Sequence, residues 1–106
     1  MPDEEDDDGG LHRVEFHFQE GFTGQSFEIL VAGKLRASVT ARTRFQTGLA
    51  HIEPVMLRDG EEVIIRQKDT GAQRKVHLHP GRPFVTLTLV NGALKIDALD
   101  QTPGYL

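Results

Sequence analysis

The most chemically suggestive spacing in this chain is His77-Leu78-His79, which sets two imidazoles at alternate positions. Alternate side chains of a β-strand share one face, so both rings point the same way. Imidazole nitrogens at that spacing suit zinc or copper, and a protein zinc site takes three or four ligands. In the register that the turns imply, Glu62 lies opposite His79 and Asp97 two strands from His77. His77 and His79 are therefore the candidate metal ligands, set against the plainer reading as solvated surface histidines. His12 and His17 lie five positions apart and cannot share a strand face. His51 falls where Pro54 interrupts the pattern. Nothing else in the chain calls for a cofactor, and none is expected.

Other reactive constellations lack their parts. The chain has no cysteine, which excludes disulfides, thiolate metal sites and cysteine nucleophiles. Its serines, Ser26 and Ser38, sit at alternating strand positions rather than on a nucleophile elbow. Glu28, Glu53 and Glu61 could supply paired carboxylates, but nothing in the sequence brings them together. Gly21, Gly24 and Gly81 mark turns and introduce no helix, so no dinucleotide fingerprint or phosphate loop is present. The chain reads as non-catalytic. Arg36, Arg42 and Arg44 share one parity, and Arg66, Lys75 and Lys95 line another outward row that could meet phosphates. Outer-face aromatics for stacking bases are thin, with Phe84 the clearest, so nucleic acid is not the expected partner.

The elements that position these residues follow from length and alternation. A chain of 106 residues holds one domain, and 38% hydrophobic with 26% charged residues is globular composition. The longest apolar run is the four residues from Ile29 to Ala32, far short of a membrane span. No membrane association is expected. Six of the sixteen acids lie in residues 3–8, and the other ten face twelve bases. Residues 1–10 therefore read as a solvated acidic tail hinged at Gly9-Gly10, ahead of a single domain over 11–106. The start Met1-Pro2-Asp3-Glu4 lacks the charged and apolar regions of a secretory signal, which makes the cytoplasm the expected compartment.

Period-two alternation runs through nearly all of 11–98. Val14, Phe16 and Phe18 share one parity, as do Phe27, Ile29 and Val31, and then Leu35, Ala37, Val39 and Ala41. Residues 48–57 form a poorer strand, because Pro54 confines it to an edge or a bulge. Val63 and Ile65, Val76 and Leu78, Val85, Leu87 and Leu89, then Leu94 and Ile96 complete the set. Asn91-Gly92 is a type I′ hairpin signal that places Leu89 opposite Leu94 and Leu87 opposite Ile96. Loops at 80–83 and 68–73 would likewise set Val76 opposite Leu87 and Ile65 opposite Val76. Together these turns predict a four-stranded meander over 61–98. The first half keeps its parity only with an odd loop near Ala32-Gly33-Lys34.

Two antiparallel sheets of seven or eight strands, packed face to face, are the expected all-β architecture, with a small β-barrel as the alternative. Ile64, Phe84 and Val90 point away from the core parity and form the candidate interaction surface, with Leu30 outward in the first half. The C-terminal Pro103-Gly104-Tyr105-Leu106 could fold back over it.

The runs Val31-Ala32-Gly33-Lys34, Thr47-Gly48-Leu49-Ala50 and Leu57-Arg58-Asp59-Gly60 before Val63-Ile64-Ile65 resemble carboxypeptidase-regulatory-like or prealbumin-like sandwich domains. The resemblance covers residues 24–67 and departs from the pattern at Arg42-Thr43-Arg44-Phe45-Gln46. It implies an accessory or binding domain and brings no catalytic residues. A protein-interaction module, through a protein partner or self-association, is thus the expected function. A small-ligand, carbohydrate or metal-binding domain is the alternative.

Overall fold

The alternating segments become eight strands in a computed structural model, which describes residues 11–78 and 81–104. The acidic run, His79 and Tyr105 lie outside the described residues. The strands are β1 (Leu11–Phe18), β2 (Thr23–Val31), β3 (Lys34–Arg42), β4 (His51–Arg58), β5 (Val63–Gln67), β6 (Gln73–Val76), β7 (Phe84–Val90) and β8 (Ala93–Leu99). They form two four-stranded sheets, ordered β4-β1-β7-β8 and β3-β2-β5-β6, and neither closes into a barrel. This is the expected two-sheet sandwich. Its pairs are antiparallel except β1 with β7, which run parallel. No helix among the described residues is long and apolar enough to cross a membrane.

The expected meander over 61–98 does not form. β5 and β6 pair in one sheet, while β7 and β8 pair in the other, with β7 inserted beside β1. Both sheets turn apolar faces to the same interior, so correct parity at 76–78 and 85–87 is satisfied whether or not those segments are neighbours. The β5–β6 register also differs by two residues. Val63, not Ile65, faces Val76, because Gln67 and Ala72 close a tighter loop with a 2.8 Å backbone hydrogen bond. A slip of two leaves every side chain on its original face.

The Asn91-Gly92 turn has φ of 50° and 82°, as a type I′ hairpin demands, and sets Leu87 opposite Ile96. Ala32-Gly33 makes a second two-residue turn, pairing Val31 with Lys34. The odd residue expected in that loop sits instead inside β3. Ile29 faces Ala37 and Leu30 faces Leu35, leaving Arg36 as an unpaired bulge. Leu35 is thereby turned out to solvent, although its spacing had assigned it to the core. The bulge re-aims Arg36, whose Nη1 donates to the Met56 carbonyl of edge strand β4 at 2.6 Å. At the opposite margin Arg74 of β6 donates to the Leu94 carbonyl of β8. An arginine thus ties the two sheets at each lateral edge.

The interior is filled by fully buried Phe16, Phe18, Phe27, Ile29, Ile65 and Leu87, among others. Phe22, in the link between β1 and β2, completes it although it lies between the turn glycines Gly21 and Gly24. Its ring centroid lies 5.6 Å from Phe18 and 5.5 Å from Phe27, edge-on to both. The link is held by Thr43, whose Oγ1 accepts from the Phe22 N–H at 3.0 Å and donates to the Gln19 carbonyl at 2.6 Å.

Candidate interaction surface

Because Val14, Phe16 and Phe18 fill the core, the pleat of β1 turns Arg13, Glu15 and His17 to the outside of their sheet. Cross-strand register then fixes the rows of this outer face. Ile52, His17, Thr86 and Asp97 stand side by side from β4 to β8, and the next row holds Pro54, Glu15, Phe84 and Leu99. Met56 follows beside Arg13. Ile52, Met56 and Leu99 remain exposed, with Met56 at 46%, around a half-buried Phe84.

His17 departs most from its expected state. Alternation set it opposite the apolar parity of its strand, yet it is 1% exposed. β1 is an interior strand, so His17 is flanked by Ile52 and Thr86, and Phe84 meets its ring edge-on at 6.1 Å. Its Nε2 lies 2.9 Å from Glu15 Oε1, and Glu15 Oε2 accepts from Arg13 Nη2 at 3.3 Å. The His17 hydrogen bond, reinforced by Arg13 and opposed by burial, holds the Glu15 carboxyl below its ordinary 4.5.

The residues singled out from sequence are dispersed. Phe84 and Val90 share the outer face of β7 but stand at its opposite ends, roughly 20 Å apart. Ile64 belongs to the other sheet, where it faces Leu30 of β2 in a small apolar row continued by Leu35. The surface that gathers around Phe84 is built instead from Ile52, Met56 and Leu99, which sequence reasoning missed. Reading 52, 54 and 56 as one outward parity, through Pro54 rather than stopping at it, would have found two of them.

His77 lies just past β6 and lines an open cleft of about 990 Å³ at one end of the sandwich, with His12, Arg13, Lys75 and Arg82. Much of the charge there is already paired. His12 meets Asp59 at 2.6 Å, Lys75 meets Glu62 at 2.8 Å, and Glu61 accepts from the Arg58 backbone N–H at 2.7 Å. The Glu62 contact also raises the Lys75 pKa above its ordinary 10.5. Among the described residues no group of three or more His, Asp or Glu side chains is placed to hold a metal ion.

No protein-family model, curated protein or solved structure matches this chain. Its surface chemistry has to be read from its own residues.

Proposed function

We propose that this chain is a non-catalytic β-sandwich interaction module that binds protein through the outer face of its β4-β1-β7-β8 sheet. One observation carries the reading. Of the six large apolar side chains exposed among the described residues, Ile52, Met56, Val90 and Leu99 belong to that one face. Exposed apolar residues scattered singly need no explanation, whereas their concentration on one face marks a contact surface. The part-buried His17–Glu15 pair supports the reading, because it ties neighbouring outward side chains of the interior strand β1. The likeness of residues 24–67 to accessory sandwich domains points the same way.

The combined variant Ile52→Asp, Met56→Asp and Leu99→Asp leaves the core untouched and removes the apolar face. Its circular dichroism should match the parent while retention of protein partners in a pull-down is lost. Retention equal to the parent's would overturn the assignment of this face.

A small-ligand role is the second reading, favoured by the end cleft that His77 lines. Zinc added to isotope-labelled protein would shift the His77 resonances and their neighbours under that reading. Unmoved resonances would dismiss its metal version.

A further inference from the structure

The four lateral edges of the sandwich differ in how well they discourage pairing with another chain. β4 carries Pro54 in its middle. β3 bears Lys34, Arg36 and Arg42, and the four-residue β6 bears Arg74 and Lys75. Proline, short length and like charge are the ordinary protections of a sheet edge. β8 differs. Its seven residues, Ala93-Leu94-Lys95-Ile96-Asp97-Ala98-Leu99, contain no proline and carry one charge of each sign.

The peptide groups of β8 are aimed in a known direction. Arg74 reaches the Leu94 carbonyl from the side away from β7, so the Leu94 peptide faces the open edge. The pleat repeats this orientation at Ile96 and Ala98. We infer that β8 pairs antiparallel with β8 of a second copy of this chain, on a two-fold axis through Ile96. In that register Ile96 faces the partner's Ile96, and Leu94 faces the partner's Ala98. These are the residues whose N–H and C=O groups point outward, so each facing pair exchanges both backbone hydrogen bonds.

The side chains obey the same axis. Lys95 lies opposite the partner's Asp97, and Asp97 opposite the partner's Lys95. Both are exposed, and neither has an ion-pair partner among the described residues. Opposite charges directly across an antiparallel pair are favourable, and like charges are not. A shift of the register by one residue either way loses this match. On the inner side Ile96 and Ala98 are only half-buried, and the second strand would cover them. A carbonyl oxygen accepts two hydrogen bonds, so the Arg74 contact can persist at Leu94. The two four-stranded sheets would then join into one continuous sheet, with an isologous contact.

This contact runs along the β8 edge, which borders the face assigned to protein binding, and charge reversal tests it without disturbing the core. Lys95→Asp alone, and Asp97→Lys alone, should each weaken the dimer by roughly tenfold or more in sedimentation equilibrium. The double variant carrying both changes should regain the parent's dissociation constant. Ala98→Pro should give a folded monomer, since the N–H it removes points away from β7. A chain that stays monomeric at about 1 mM overturns the inference. So does a dimer indifferent to both single reversals. If that indifferent dimer is instead broken by Met56→Asp, the edge inference fails while the outer-face reading stands.

Discussion

Gly21 and the Leu89 carbonyl are in such close approach that a Cβ on Gly21 would lie 1.9 Å from the Leu89 oxygen. The contact occurs where the chain leaves β1 and crosses to the other sheet, with Leu89 N–H donating to the Glu20 carbonyl at 2.9 Å. Gly21 also has φ of 92°, a backbone conformation that other residues adopt at a cost. Substitution by Gly21→Ala should therefore cost about 3 kcal/mol or more, from overlap with fixed backbone added to strain. Urea denaturation measures it. A loss under about 1 kcal/mol would mean that the crossing can relax.

Phe22→Ala should cost about 3–5 kcal/mol, because it empties the space between Phe18 and Phe27. Phe45 offers the internal contrast. It is 99% exposed, and Phe45→Ala should fall within about 0.5 kcal/mol of the parent. Similar denaturation midpoints for the two variants would remove Phe22 from the core.

Thr43→Val keeps the shape of the side chain but deletes the hydroxyl that both accepts from Phe22 and donates to Gln19. Losing both hydrogen bonds should cost about 1–3 kcal/mol. Thr43→Ser, which restores the hydroxyl, should recover most of that loss in the same assay. Failure of serine to recover it would assign the effect to packing.

Glu15 sets a pH dependence with a definite sign. Its folded pKa lies below the ordinary 4.5, so its contribution is complete above that value and is lost as pH falls through the folded pKa. Glu15→Gln should be less stable than the parent at neutral pH and converge with it in acid. Stability measured against pH from neutrality downward checks this. Parallel curves for the two proteins would mean that the carboxylate has no special partner in the folded state.

Much of the architecture is legible without coordinates. Alternation identifies each strand, Asn91-Gly92 fixes the β7–β8 register, and Val14, Phe16, Phe18, Phe27 and Ile29 declare their burial by spacing alone. Local chemistry decides these features, because a pleat repeats every second residue and a type I′ turn needs positive φ at both central positions. The candidate sites were less legible. His77 and His79 were chosen by spacing, but spacing does not specify what a third element brings alongside. Ile64 and Phe84 share a parity yet stand on different sheets.

Sequence by itself determined which segments are strands and, outside the β3 bulge, which face of each is apolar. Tertiary structure alone decided which strands are neighbours. It put β7 between β1 and β8, which buried His17 beside Phe84 and left the mixed-charge edge of β8 open. The reason is physical: parity is a property of one strand, whereas adjacency depends on which pairs leave every apolar face covered at once.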